Sequence, residues 1–418
     1  MSSSAHWRTT TVVEALEEHG DRAGERSTLP LLSITKARGM VLASERFKKG
    51  LHSDDLSRYR VAHRNEFVVD PMLLWDGQIA RQRVVDAGLV SPDYRVYRIR
   101  EGVDPGFLEY LLRGPTMKTR YRVTARGTNV RRSRISRDDF LALPIRLPIL
   151  AEQQKIAAIL SSVDEVIEKT DAVIAQLQVV KKAMTQELLT RGLPGRHTRS
   201  TMTEIGEMPE GWSLARLEDV AQVQTGMAKG KQIQAADAVE VPYLRVANVQ
   251  DGYVDLSEMK TLVVERGALQ RYGLRRGDVL FTEGGDADKL GRGCVWRGQI
   301  EPCLHQNHVF VVRPDPGWVL PEFLAQYAAS TRGKAYFLDC AKQTTNLASI
   351  NSSQLRAMPI PVPPPDEQDE IVRTLASIDN RLEAERGVLA TQHALKTAVS
   401  GALLSGDVRV NVDQEVAA

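Results

Sequence analysis

The chain contains one stretch twice, and that repeat limits what it can fold into. The first copy runs from Leu143 to about Gly192 and opens Leu-Pro-Ile-Arg-Leu-Pro-Ile-Leu-Ala-Glu-Gln. The second runs from Met358 to about Asp407 and opens Met-Pro-Ile-Pro-Val-Pro-Pro-Pro-Asp-Glu-Gln. One constant offset, 359 − 144 = 215 residues, superimposes them without a gap. Pro144 falls on Pro359, Glu152 on Glu367, Gln153 on Gln368, Asp164 on Asp379 and Lys181 on Lys396. A period of about half the 418 residues marks a duplicated protein.

Each copy has the pattern of a long helix. Ile156, Leu160, Val163, Ile167, Ile174, Leu177, Met184 and Leu188 recur at heptad spacing. Ile371, Leu375, Ile378, Leu382, Leu389, Val399 and Leu403 repeat that register in the second copy. A seam of this kind needs a partner helix to cover it. The proline-rich lead-ins forbid helix just upstream, so the helices should begin near Glu152 and Glu367, with Asp366 available to cap the second. Roughly 40 helical residues at about 1.5 Å each make a rod near 60 Å long. Polar breaks in the seam, Thr170 with Lys181 and Glu385 with Gln392 and Lys396, can fix register and orientation. An ordinary core helix is the plainer reading of one amphipathic stretch; two matched copies favour a paired-helix spacer.

At this length two or three domains are expected. The net charge of +2 gives no global polyelectrolyte character, yet Arg113 to Arg137 holds nine Lys or Arg and no Asp or Glu. Three cysteines, Cys294, Cys303 and Cys340, form no CxxC pair. They fit a reducing cytoplasm rather than a disulfide framework. No apolar run approaches a membrane span, and the N-terminus lacks a signal-peptide core, so a soluble, cytoplasmic protein is expected.

The globular parts repeat too. Short strands are predicted at Leu31 to Ile34, Glu66 to Val69 and Tyr94 to Ile99, and a helix from Gly106 to Arg113 after Pro105. Later segments echo the earlier ones. Arg58-Tyr59-Arg60-Val61 returns as Arg271-Tyr272-Gly273-Leu274, Glu66-Phe67-Val68 as Asp278-Val279-Leu280-Phe281, and Pro105 to Leu108 as Pro321 to Leu324. Gly127-Thr128-Asn129 returns as Thr344-Thr345-Asn346, and Ile135 with Phe140 as Ile350 with Leu355. Leu193 to Thr201 reads as a linker. The duplicated unit is therefore an α/β (α+β) mixed-sheet domain plus a long helix. Divergent loops on a shared scaffold suggest two related sites that read different things.

The strongest local chemistry is Arg126-Gly127-Thr128-Asn129-Val130-Arg131-Arg132-Ser133-Arg134. Arginines suit phosphates and guanine, and asparagine suits adenine, so Arg126, Asn129, Arg131, Arg132 and Arg134 are candidate DNA-binding residues. A solvated basic face is the competing reading. The matching loop offers Lys342, Gln343, Thr345 and Asn346, and Lys229 and Lys231 are further phosphate candidates against a plain surface loop. Lys289 and Arg292 lie in a Gly-rich charged segment that lacks the GxxxxGK[ST] pattern of a phosphate-binding loop and reads better as a recognition loop. Its acids do not make a two-metal nuclease, because the first half offers only Asp70 opposite Glu283. Cys303, His305 and His308 have no second cluster to complete a zinc set. DNA contact by His305, Gln306 and Asn307, or a hydrogen-bonded strand start, is the better reading. No methyltransferase motif, nucleophile–base arrangement or other catalytic centre is legible.

Several of these segments together resemble the specificity subunit of type I restriction-modification enzymes. They are the two Pro-rich lead-ins into long helices, Pro242-Tyr243-Leu244-Arg245-Val246-Ala247-Asn248-Val249, Arg275-Arg276-Gly277-Asp278-Val279-Leu280, His305 to Phe310, and Pro209-Glu210-Gly211-Trp212 with Leu217 to Val220. The match covers most of the chain; at the N-terminus Trp7 and Glu14-Ala15-Leu16 follow the family's domain opening only loosely. The resemblance implies a first target recognition domain over 1–150, a spacer helix over 151–192 and a linker over 193–203. A second recognition domain would span 204–365, a second spacer helix 366–406 and a tail 407–418. The two helices would pair as an antiparallel coiled coil. Each domain would read one half of a bipartite site in double-stranded DNA, which suits an internally pseudo-two-fold chain. This chain would carry no catalytic residue, metal or cofactor. Two methyltransferase subunits using S-adenosylmethionine and restriction subunits using ATP and Mg would dock on it. Val173, Val180, Val388 and Leu395, left partly uncovered by a two-helix coil, are the docking candidates. A free-standing duplicated DNA-binding regulator would explain the basic loops but not the long internal helices.

Replacing Arg131 and Arg132 with Ala should weaken DNA binding and flatten its salt dependence, because phosphate contacts release counterions. Binding isotherms at several salt concentrations check this, and an unchanged slope would remove the loop from the interface.

Overall fold

The computed structural model describes residues 7–24, 28–36, 38–47, 55–127, 133–227, 237–285, 290–343 and 348–412. The chain forms two compact units, residues 1–172 with 387–418, and residues 173–386. Each unit therefore holds one globular domain and a portion of both long helices.

In the first unit, strands Leu16–His19, Arg95–Ile99, Phe67–Val69 and Ile79–Arg81 lie side by side in that order, all antiparallel. Helix Pro105–Arg113 follows; Asp104 caps it by accepting from the Phe107 amide at 2.8 Å, and Pro105 takes the first turn, where a missing N–H does no harm. Helices Pro115–Thr124 and Arg137–Leu141 come next, then strand Pro144–Leu147, which pairs with Arg8–Thr11. Phe67, Tyr97, Phe107, Leu108, Tyr121, Phe140, Ile156 and Leu160 fill one buried core, so the start of the long helix is part of the domain. Two further strand pairs, Leu32–Thr35 with Gly39–Leu42 and Arg60–His63 with Ala87–Val90, are particular to this unit.

The second unit repeats the scheme. Ala221–Thr225, Val309–Pro314, Val279–Thr282 and Gly293–Val295 lie in the same order with the same antiparallel senses. Helices Pro321–Ala329, Thr331–Cys340 and Ser352–Arg356 follow, and strand Pro359–Val362 pairs with Ser213–Arg216. A buried acid precedes the inner strand in both sheets. Glu66 accepts from the His63 amide at 2.7 Å and from Arg98 Nε at 3.0 Å. Asp278 accepts from the Arg275 amide at 2.8 Å and from both Arg313 Nε, at 2.7 Å, and Arg313 Nη2, at 2.8 Å. The echo at Arg58 to Val61 does not extend to structure: Arg60 begins a strand, whereas Arg271 and Tyr272 end the helix Arg266–Tyr272. This unit's own addition is a sheet in the order Lys260–Glu265, Ala238–Leu244, Leu304–His305.

The two long helices are Leu150–Arg191 and Pro365–Ser405, each continuous and within two residues of the expected start. Of the seam positions, Ile156, Leu160, Ile167, Ile174, Leu188, Ile371, Leu375, Leu382 and Leu403 are buried, while Val163, Leu177, Met184, Ile378, Leu389 and Val399 are half-buried. The polar breaks set the pairing. Lys181 Nζ lies 2.5 Å from Asp379 in the second unit, and Lys396 Nζ lies 2.5 Å from Asp164 in the first. The residues of one pair are those of the other moved by the 215-residue offset, and both pairs require the helices to run antiparallel. Asp366 does not cap its helix as expected. The helix begins one residue earlier, at Pro365, and the carboxylate faces Arg196 at 2.5 Å.

Each long helix is fastened near its first turn by a buried carboxylate. Glu152 accepts from Trp7 Nε1 at 3.4 Å and from Arg409 Nε and Nη2 at 2.7 and 2.8 Å. Glu367 accepts from Trp212 Nε1 at 3.0 Å and the Leu193 amide at 3.1 Å, and lies 2.8 Å from His197 Nε2. Each glutamate thus joins the tryptophan just before the strand that pairs with its helix's lead-in strand to the segment that follows the other long helix. Gly192 makes the second junction possible: it ends its helix at φ +74°, and a Cβ there would lie 2.5 Å from Glu367 Oε1.

Burial pushes the Glu152 carboxyl up, but Arg409 and Trp7 outweigh it and hold the group below the ordinary carboxylate range. Its stabilisation is present above the unfolded value of about 4.3 and is lost as pH falls through the lower folded value. Arg409→Met should lower stability by about 1–3 kcal/mol near pH 7, since the buried carboxylate loses its charged donor. It should also flatten the decline in stability below about pH 4. Urea unfolding at stepped pH tests both, and a wild-type midpoint and pH profile would refute the fastening role.

Candidate nucleic-acid interface

In the first unit the basic stretch follows a helix that carries Lys118, Arg120 and Arg122. The chain then turns into a hairpin whose base is the reciprocal backbone pair Arg126–Arg134, with both N–H to O distances 2.9 Å. Asn129, Arg131 and Arg132 lie outside the described residues. Arg126 is largely exposed, with a guanidinium nitrogen 3.5 Å from Asp139 Oδ1. Arg134 is exposed and touches Met72 Sδ at 3.8 Å. Ser136 caps the next helix from the Asp139 amide and donates from Oγ to Asp139 Oδ2 at 2.7 Å. Beneath the hairpin is a cleft of about 420 Å³ lined by Arg126, Arg134, Ser136 and Asp139 together with Met72, Asp93 and Arg95. Arg95 was not among the residues expected from sequence. It lies within a predicted strand, and only the strand register reveals that its side chain opens onto the hairpin.

The second unit has the matching hairpin. Lys342–Gln343 pairs with Ala348–Ser349, which also pairs with Gly284–Gly285. Thr345, Asn346, Lys289, Lys229 and Lys231 lie outside the described residues. Arg292 is half-buried and donates from Nη1 to Gln250 Oε1 at 2.9 Å. Met227, which leads toward Lys229, runs beside Gln306 in a parallel bridge. Gly226 permits this approach, because a Cβ there would meet the Gln306 carbonyl oxygen at 2.3 Å.

His305 departs from the expectation. Its ring is buried with Nδ1 2.7 Å from the Val309 carbonyl, and burial pushes its pKa below the ordinary value, which favours the neutral ring. The imidazole is core, not contact surface, while Gln306 and Asn307 beside it are half-exposed. His308, passed over in the DNA list, is exposed with Nδ1 2.6 Å from Glu283 Oε2. Burial pushes the Cys303 thiol up to about 12, so it stays protonated and is a poor metal ligand at neutral pH. Among the described residues no three His, Cys, Asp or Glu side chains converge to hold a metal ion.

Of the docking candidates, Val173, Val388 and Leu395 are exposed and Val180 is half-buried. Val173 and Val388 are equivalent by the 215-residue offset and about equally exposed, at 43% and 48%. Among the described residues no helix is long and apolar enough to cross a membrane.

The DNA specificity domain of type I restriction-modification systems matches residues 92–179 and 209–391. The type I restriction enzyme MjaVIII specificity subunit of Methanocaldococcus jannaschii is 26% identical over 357 residues, 82% of this chain and 79% of its own length. A sequence named for the MjaX specificity subunit of the same archaeon is 30% identical over 179 residues, 43% of this chain and 42% of its own length, so the chain spans less than half of that relative. A chain solved in work on complex assembly and conformational transition of the type I R-M system superimposes with a TM-score of 0.59. That superposition covers 98% of this chain and 100% of the other at 19% identity, a likeness of fold. The family match and the twice-built sheet, each joined to its long helix through a buried glutamate, lead to one assignment: the chain belongs to the type I restriction-modification DNA specificity family.

Proposed function

We propose that this chain is the DNA specificity subunit of a type I restriction-modification complex, each globular domain binding one half of a bipartite site. The observation that carries this is the repeated sheet order, with equivalent hairpins in both units and different side chains on them. One scaffold presenting two sets of polar side chains suits two half-sites of different sequence. The paired helices set the unread spacer. Equivalent ion pairs at Lys181–Asp379 and Lys396–Asp164 support a fixed helix register, and register is what a spacer must hold constant.

On this reading the chain supplies specificity and does no chemistry. Two methyltransferase subunits dock on the helices around Val173, Val180, Val388 and Leu395, and restriction subunits join them. S-adenosylmethionine and ATP with Mg act on those partners, and the complex works in the cytoplasm. The exposed, offset-matched pair Val173 and Val388 supports a partner present in two copies.

Deleting one heptad from either long helix tests the spacer. The expected outcome is a changed gap between the half-sites or loss of the complex with the methyltransferase. An unchanged site and gap would contradict the proposal. A wild-type chain that binds DNA but never enters a stable complex would instead be a free-standing regulator.

A further inference from the structure

The strand register sets the cleft beneath the first hairpin apart from the corresponding place in the second unit. Arg95 pairs with Val69 in the first sheet, three residues before Arg98, the partner of Glu66. The same position in the second sheet, three residues before Arg313, is Phe310, which pairs with Phe281 and is buried in the core. Arg134, opposite Arg126, is matched by Ser349 opposite Lys342. Two arginines thus stand where the second unit has a phenylalanine and a serine.

An arginine at a position the fold otherwise fills with phenylalanine calls for a reason. Arg95 Nε is buried and has no hydrogen-bond partner among the described residues, although Nη1 lies 3.4 Å from Glu18 Oε1. A buried donor left unmade is unfavourable and marks a position kept for something else. Arg126 and Arg134 line the same 420 Å³ cleft, as do Ser136, Asp93 and Asp139. Asp139 already accepts from Ser136 and faces Arg126, and Asp93 is exposed. Arg95 faces Glu18 and Arg126 faces Asp139, so Arg134 is the cleft guanidinium without a carboxylate partner among the described residues, and a phosphodiester would supply one. Guanidinium forks match phosphate oxygens bidentately.

We propose that Arg95, Arg126 and Arg134 form a pocket for one backbone phosphate of the DNA bound by the first unit. The pocket positions that unit on its half-site, and the second unit has Phe310 and Ser349 at two of the three positions. This rests on the DNA-binding reading above.

The test uses the full chain and a 40-base-pair random duplex, with binding measured from 50 to 200 mM salt. Arg95→Phe and Arg134→Ser each install the second unit's residue. Each should weaken binding by about tenfold and reduce the salt slope by about 0.9, the value for one lost phosphate contact. Should Arg95→Phe fail to fold, Arg134→Ser carries the test on its own. Folded variants with wild-type affinity and slope would overturn the pocket while leaving DNA binding intact. A wild-type chain that binds no duplex would overturn both readings. If inorganic phosphate raises the melting temperature of wild type but not of Arg134→Ser, and the DNA slopes agree, the pocket serves a free phosphate compound and the DNA assignment is wrong.

Discussion

The structure depends on two buried carboxylates. Glu152 and Glu367 sit in the first turns of the long helices, almost wholly shielded from water, where an unpaired charge would be strongly unfavourable. Each is satisfied only when a tryptophan ahead of the strand that pairs with its lead-in strand and a segment beyond the other helix arrive together. The globular domain, its helix and the returning chain are thereby made interdependent. The partners differ: an arginine fork grips Glu152, while a histidine, an indole and a backbone amide grip Glu367. The geometry of the junction is retained while its chemistry has drifted.

Between these junctions the helices are held by apolar seams that specify contact but only weakly specify register. The lysine–aspartate pairs supply what the seam lacks. Surface ion pairs of this kind contribute little to stability. Their effect is on alignment, since sliding one helix by a turn would separate both lysines from their partners. Divergence is concentrated elsewhere, in the added strands, the hairpins and the Arg95 position, where the second sheet has the buried Phe310.

Much of this was legible in the residues. The prolines, the heptad spacing and the constant offset located both helices within two residues, because these signals are local. The buried acids Glu66 and Asp278 could be aligned from the strands that follow them. What failed was similarity without periodicity. Arg58-Tyr59 and Arg271-Tyr272 share residues but belong to different elements. The polar run His305 to His308 suggested surface, yet the strand Leu304–His305 is buried on both faces and the His305 ring meets the Val309 carbonyl. Asp366 had the composition of a cap but found Arg196 instead. Arg409 and Glu152 are 257 residues apart, and no spacing rule reaches that far. Of the proposed contact residues, Arg126 and Arg134 pair with each other across the base of the basic loop, which the charge run did not indicate. Arg95 emerges only when the two sheets are compared strand by strand.

The measurement that bears most directly on the account is single-molecule mapping of methylated bases in DNA from cells expressing this chain with the methyltransferase subunit proposed to dock on it. A split motif, with methyladenine in each half and a gap of constant length, is the predicted result. Methylation at a single continuous motif, or none despite a stable complex, would contradict the claim that two units read two half-sites across a fixed spacer.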